Sequence, residues 1–438
     1  MNLFGTDGIR NRVGLHPFTQ EALPKLGHAL GLWAQEKYTA PITFLFARDT
    51  RYSGPWISSG LLYGLLGHPI TVYDAGILPT PAVFHLMNHD ASFTVGIIIS
   101  ASHNPAEDNG IKLVDSAFGK LSSTDEQRIC QLLTEARPLT DYSLLGREIQ
   151  FPDAKKLYKH HLTTLFRPNF LEGKTIVLDC ANGANTQVAP LVFKELGADV
   201  ISIHNDPDGY NINKDCGATA PESLQKAVVA HKAFMGFAFD GDADRCMVVT
   251  QDGSLKDGDD LLAILRNHAD YKDQAALVST VLANYGLDQH LKSHQKKLFR
   301  AAVGDKHVLE MMDKEHLQLG GEPGGHLILK NHVRTSDGLL VALKVLETVE
   351  QTGNKLLETF EKFPQICLNV PITHKKDLSQ DPFATFLKES KEAFTSGRLL
   401  VRYSGTEKVV RIMTEGRDKE QAVQVAQAVA HYLQNALS

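Results

Sequence analysis

Nine short apolar runs recur along the chain, each followed by a polar loop and most by a stretch of helical length. In the first block they are "ITFLFA" (42–47), "ITVYDA" (70–75) and "FTVGIII" (93–99). The second block has "TIVLDC" (175–180), "DVISIH" (199–204) and "FMGFAF" (234–239), and the third "ALVSTV" (276–281), "KLFRAAV" (297–303) and "HLILK" (326–330). Strands that alternate with helix-length segments are joined by crossovers, which favour parallel pairing in an α/β sheet. Three blocks with one rhythm predict three related α/β domains with mixed, mostly parallel sheets. The tail breaks the rhythm. There "ICLNVPI", a helical stretch near 382–396, "RLLVRYS", "VVRIMTEG" and a last helix over 418–436 predict a smaller α+β domain. In that helix Ala422, Val425, Ala426, Val429 and Leu433 repeat at helical spacing and define one apolar face. Turn formers at Phe151-Pro152, Gln251-Asp252-Gly253 and Phe363-Pro364 place the domains at 1–152, 153–251, 252–364 and 365–438.

Composition narrows the class. The 438 residues are 43% apolar and 22% charged, enough apolar matter for several cores. A net charge of −6 without a long basic block gives no footing for nucleic acid or an acidic membrane surface. No apolar run approaches the roughly 20 residues that cross a bilayer. The start, "MNLFGTDGIR", lacks the charged-then-apolar pattern of a signal peptide. Cys130, Cys180, Cys216, Cys246 and Cys367 are dispersed, with no C-x-x-C pair. Reduced thiols in a soluble cytoplasmic protein are expected.

Five polar stretches interrupt this frame. In "TVGIIISASHNPAEDNGIK" (94–112) the apolar run ends at Ile99, so Ser102 falls beyond the carboxyl end of a strand, where open α/β sheets collect ligands. A serine in such a turn is a candidate nucleophile or phosphate carrier, although Ser, Asn and Pro more often simply make turns. The G-x-S-x-G signature of serine hydrolases is absent. In "FAFDGDADRCMVV" (237–249), Asp240, Asp242 and Asp244 alternate with small residues. Three carboxylates this close repel one another unless a cation intervenes, and hard oxygens suit Mg²⁺. A calcium EF-hand would need Gly and Glu where Arg245 and Gln251 stand.

In "VRYSGTEKVVR" (401–411), Arg402 and Arg411 bracket Ser404, Gly405 and Thr406. Guanidinium forks, hydroxyls and backbone N–H groups make a phosphate cradle, and a plain strand–turn–strand is the default alternative. "GGEPGGH" (320–326) places Glu322 and His326 in a glycine-dense loop that suits hydroxyl binding and, equally, a flexible turn. It matches neither G-x-G-x-x-G nor a P-loop, so nucleotide binding is not indicated. "FGTDGIR" (4–10) carries Asp7 and Arg10 in a turn.

Taken in order, "FGTDGIR", "ARDTRYSG" (47–54), "GILPTPAV" (76–83), "SASHNPAEDNGIK" (100–112), "DCANGA" (179–184), "DPDGYNINKDCGAT" (206–219), "FDGDADR" (239–245), "GGEPGGH" and "RYSGTE" (402–407) resemble the α-D-phosphohexomutase superfamily. "GTDGIR", "SASHNP" and the "PDGxNIN…CGxT" pattern are most similar to its bacterial phosphoglucosamine mutase branch. The resemblance implies three related α/β domains and a smaller α+β domain around a central cleft. It implies that Ser102 is modified to phosphoserine and that it, Asp240, Asp242 and Asp244 hold one Mg²⁺. By the same likeness His103 and Lys112 assist proton and charge transfer, Arg245 holds the phosphoserine loop and Arg10 adds positive charge. Glu322, Gly324 and His326 then meet the sugar, while Arg402, Ser404, Gly405, Thr406 and Arg411 hold its non-reacting phosphate.

The implied reaction interconverts glucosamine 6-phosphate and glucosamine 1-phosphate through glucosamine 1,6-bisphosphate, which also serves as an activator. That places it on the route to UDP-N-acetylglucosamine. A sugar phosphate is the expected partner, with no nucleic acid or membrane, and the chain a monomer or homodimer. Alternatives are a mutase for glucose or mannose phosphates, a phosphatase in which water intercepts phospho-Ser102, and a sugar-phosphate-binding regulator. Two loops depart from the family pattern. Pro323 and Gly324 replace a usual Gln-Ser, and Ala243 replaces a glycine, which matters if that residue needs φ > 0.

Overall fold

The computed structural model describes residues 3–5, 7–115, 119–135, 145–404 and 408–437. Its first three sheets share one plan. In the first, Ile42–Arg48 lies between Ile70–Ile77 and Val95–Ile99, parallel to both, and Asp108–Asp115 reverses against Val95–Ile99. In the second, Thr175–Asp179 lies between Asp199–Ile203 and Met235–Phe239, parallel to both, and Cys246–Thr250 reverses against Met235–Phe239. In the third, Ala276–Thr280 lies between Lys297–Ala301 and Leu319–Gly321, and Leu327–Leu329 reverses against Leu319–Gly321. Numbered within its own block, each sheet is ordered 2-1-3-4 with the fourth strand antiparallel. The common rhythm of the sequence is a common topology.

Parallel strands covered on both faces read as continuous apolar runs. Val95–Ile99 and Met235–Phe239 are buried at every position. All nine runs are strands in the structure, with ends shifted by at most two residues. The strand Asp108–Asp115 was not among them. Its sequence, "DNGIKLVD", opens on turn formers and carries a lysine, yet seven of its eight residues are buried. Ile9–Arg12 adds to its outer edge, antiparallel.

Two compact units divide the chain, Met1–Val281 with Phe299–Glu358, and Leu282–Leu298 with Thr359–Ser438. The second unit contains the last sheet, in which Val409–Gly416 pairs antiparallel with Gln365–Pro371 on one side and Gly397–Tyr403 on the other. The helix Lys419–Leu437 packs over it through Ala422, Ala426, Val429 and Leu433, the expected face, which Leu437 extends; Val425 is half-buried. Among the described residues no helix is long and apolar enough to cross a membrane.

The plan positions the polar loops. Ser102, the aspartate triplet and Glu322–His326 all lie in the turn from third to fourth strand of their respective sheets. One repeated connection thus supplies three different chemistries.

Candidate active site

Ser102 follows the buried strand Val95–Ile99 and takes the left-handed conformation, φ 53°. A serine pays for that backbone, and the surroundings hold it there. Its N–H donates to Ser100 Oγ (2.9 Å), whose hydroxyl donates to Asp49 (2.6 Å). The fully buried Arg51 threads under the turn. Its Nη2 donates to the carbonyls of Ser102 and Asn104 (both 2.9 Å), and its Nη1 to those of Asp108 (3.0 Å) and Pro105. Nε returns to Asp49 at 2.8 Å. Asn213 from the second sheet's loops also donates to the Ser102 carbonyl (2.8 Å). The loop is clamped from behind, leaving Oγ to face the next loop.

That next loop is the aspartate triplet. Ser102 Oγ donates to Asp240 Oδ2 at 2.7 Å. Gly241 permits the approach, because a β-carbon there would stand 2.7 Å from the Ser102 carbonyl oxygen. The three aspartates are buried, with one oxygen of each within 4.8 Å of the others. Burial, then the neighbouring Asp244 and Asp242 charges, pushes the Asp240 carboxyl well above its ordinary range. Asp242 Oδ1 and Asp244 Oδ1 are buried without a hydrogen-bond partner. Hard oxygens crowded together, two of them orphaned, fit a divalent cation of the Mg²⁺ kind.

A lysine partly balances this charge. Lys112 Nζ lies 2.8 Å from Asp242, 3.2 Å from Asp244 and 3.0 Å from Asp7. Burial opposes its charge, but Asp242, Asp7 and Asp244 outweigh that and hold its pKa well above the usual value. Asp7 in turn pairs with Arg10 (2.7 Å) and Lys120 (2.6 Å), and Lys120 with Asp305. Burial works to raise Asp244, yet Lys112, His326 and Arg245 bring it down to about 2. His103 Nδ1 is 3.3 Å from Ser102 Oγ. Burial, with Arg245 and Arg10 nearby, lowers its pKa to about 4, so the imidazole is neutral at physiological pH.

The third loop completes the wall. A cleft of about 480 Å³ is lined by Arg10, Ser102, His103, Arg245, Glu322 and His326, among others. This volume suits a sugar phosphate. His326 Nε2 lies 3.5 Å from Asp305, and Glu322 accepts from the Gly304 N–H at 2.9 Å. Arg245 Nε stands 3.9 Å from Asp240.

In the second unit, Arg402 and Arg411 are direct partners across the antiparallel pair, on one face of the sheet. Like charges so placed repel, which an anion would relieve. Ser404 is buried beside them, its N–H donating to the Val409 carbonyl (2.9 Å). Gly405 and Thr406 lie outside the described residues.

Matches to known proteins cover the chain from end to end. Models of the phosphoglucomutase/phosphomannomutase family match as alpha/beta/alpha domains I, II and III over residues 1–139, 156–253 and 257–366, and as the C-terminal domain over 368–431. The phosphoglucosamine mutases of Acinetobacter baylyi and Sulfurovum sp. are 42% and 39% identical, covering 98% and 96% of this chain and the same shares of their own. The chain belongs to the phosphoglucosamine mutase family. It is thus a phosphohexomutase, an isomerase.

Solved structures share the fold at low identity. A phosphoglucomutase/phosphomannomutase family protein from Burkholderia thailandensis has a TM-score of 0.81 at 22% identity, covering 99% of this chain and 97% of its own. The N-acetylphosphoglucosamine mutase of Aspergillus fumigatus, in complex with GlcNAc-6P and magnesium, has a TM-score of 0.68 at 17% identity, covering 100% and 96%.

Within this phosphohexomutase, several residues at the site carried no assigned role in the sequence. Asp49, Arg51, Thr80, Lys120 and Asp305 each act across long separations. Thr80, for example, donates from Oγ1 to Asp242 at 2.6 Å. The "ARDTRYSG" and "GILPTPAV" motifs contain three of them, but no local spacing reveals a partner 50 to 160 residues away. The departures from the family pattern have distinct consequences. Ala243 does adopt positive φ, 63°, and so carries strain that glycine would avoid. At Gly324 a β-carbon would stand 3.4 Å from Arg245 Nη1, so a serine fits there and its hydroxyl is what this chain lacks.

Proposed function

We propose that this phosphohexomutase interconverts glucosamine 6-phosphate and glucosamine 1-phosphate, with Ser102 carrying the phosphoryl group. The observation that supports this most is the Ser102 Oγ held 2.7 Å from Asp240, within a buried carboxylate triplet and at the wall of a sugar-sized cleft. In the forward step the bond from phosphorus to Ser102 Oγ breaks as one to the sugar O1 forms. The O1 proton passes to neutral His103, and the departing Ser102 oxygen is stabilised by the Lys112 ammonium. Arg245 and Arg10 balance charge on the transferred group, which is the main demand of phosphoryl transfer. Asp240, Asp242 and Asp244, with Ser102, would hold Mg²⁺, which supplies further neutralisation of the phosphoryl oxygens.

The resulting glucosamine 1,6-bisphosphate presents its 6-phosphate to Ser102. The bond from phosphorus to O6 breaks as the bond to Ser102 Oγ re-forms, O6 takes the proton held by His103, and glucosamine 1-phosphate leaves. Glu322, Gly324 and His326 are assigned to the sugar hydroxyls. Arg402, Ser404, Gly405, Thr406 and Arg411 are assigned to the non-reacting phosphate. The same chemistry would serve glucose or mannose phosphates, and the absence of a side-chain hydroxyl at Gly324 keeps that reading open. Phosphorus NMR separates them. With Mg²⁺ and a trace of the matching bisphosphate, glucosamine 6-phosphate is expected to convert far faster than glucose or mannose 6-phosphate. Preference for either of the latter overturns the assigned substrate, and free phosphate appearing faster than isomer overturns the mutase mechanism.

A further inference from the structure

The second sheet carries a side-chain cluster that phosphoryl transfer does not use. Asp179 closes the strand Thr175–Asp179, His204 follows Asp199–Ile203, and Cys216 precedes the turn Gly217–Thr219. One ligand atom from each lies within 4.8 Å of the other two. Asp179 and Cys216 are fully buried, while the His204 side chain is 29% exposed, so solvent reaches the cluster past the imidazole. The place is the carboxyl end of parallel strands. There Thr175–Asp179 lies between Asp199–Ile203 and Met235–Phe239, and α/β sheets gather ligands beyond the carboxyl ends of their strands.

The matching corner of the first sheet holds Asp49, whose buried carboxylate meets the Arg51 guanidinium. In the second sheet Asp179 accepts the N–H groups of Ala181 (3.0 Å) and Gly217 (2.9 Å), and His204 Nδ1 stands 3.1 Å away. That nitrogen is buried without a well-formed hydrogen bond. His204 itself is in the left-handed conformation, φ 46°, with its carbonyl fixed by the Asn182 N–H at 2.7 Å.

We infer that Asp179, His204 and Cys216 form a second metal site, for a transition ion of the Zn²⁺ type, distinct from the acidic triplet. One oxygen, one imidazole nitrogen and one thiolate sulfur suit such an ion and not Mg²⁺, and three protein ligands leave a fourth position to water. On binding, the Cys216 S–H bond breaks, its proton passes to solvent, and the sulfur–metal bond forms; the imidazole enters neutral. The two backbone N–H donors orient the carboxylate from behind. The site would brace the turn after Asp179, whose Ala184 N–H donates to the Gly241 carbonyl of the aspartate loop (2.8 Å).

Cobalt titration of the full-length, chelator-stripped protein tests this. One equivalent is expected to give a near-ultraviolet thiolate-to-cobalt band that Zn²⁺ removes and excess Mg²⁺ does not. Cys216→Ser should lose the band, and the partly exposed His204→Ala should weaken binding about tenfold or more. Asp242→Asn and Cys180→Ser should keep it. Absence of the band in the wild type, or its survival unchanged in folded Cys216→Ser and His204→Ala proteins, overturns the site.

Discussion

Arg51 is where stability and activity can be separated. In Arg51→Met, Asp49 keeps the Ser100 hydroxyl and the residue-51 N–H as partners, and four carbonyls of the serine loop lose the guanidinium as a donor. Removing one partner of a buried ion pair costs about 3–5 kcal/mol, because the other charge stays behind. Burial already outweighs Arg51 and Ser100 in raising the Asp49 pKa, so the pair adds little beyond its own desolvation. Adding Asp49→Asn to Arg51→Met removes the stranded charge and should restore about 1–3 kcal/mol. It should not restore turnover, since the Ser102 and Asn104 carbonyls still lack the guanidinium that fixes them alongside Asn213. Both tryptophans, Trp33 and Trp56, sit in helices of the first block, so fluorescence-monitored urea unfolding reads the affected region. A single variant within about 1 kcal/mol of wild type, or a double variant less stable than the single, would refute the reasoning.

Three further outcomes are expected. Lys112→Met should lower kcat by about 10²–10³, the scale of one lost preorganised charge contact, with steady-state kinetics as the check. Ala243→Gly should relieve about 1 kcal/mol of left-handed strain, partly offset by the greater freedom of an unfolded glycine, and unchanged or lowered stability by calorimetry would contradict it. His68 is buried against His28, and burial first, then that neighbour, lowers its pKa to about 4. The unfolded chain therefore takes up the proton first, so this contribution is complete above about pH 6.5 and is lost as pH falls towards 4. The pH slope of tryptophan-monitored stability in that window should flatten in His68→Asn.

What the sequence disclosed follows from where each signal resides. The strands Val95–Ile99 and Met235–Phe239 were legible because burial on both faces demands unbroken apolar runs. The aspartate triplet was legible because its three ligands lie within five residues. Asp108–Asp115 was not, since a lysine in a buried strand makes sense only once Asp7, Asp242 and Asp244 surround it. Arg51 carried no assigned role within "ARDTRYSG" for the same reason. The pair Lys120–Asp305 spans 185 residues, and no periodicity records it. The spacing of Arg402 and Arg411 did suggest a cradle, and the hairpin register places them opposite each other.

The most direct measurement follows the phosphoryl group itself. Protein carrying a ³²P-labelled phosphate on Ser102 would be mixed with unlabelled glucosamine 6-phosphate and quenched over one turnover. The label should leave the protein into the bisphosphate and then glucosamine 1-phosphate, and Ser102→Ala should neither take up label nor turn over. Label that stays on the protein while isomer forms, or leaves only as inorganic phosphate, would contradict Ser102 as the carrier.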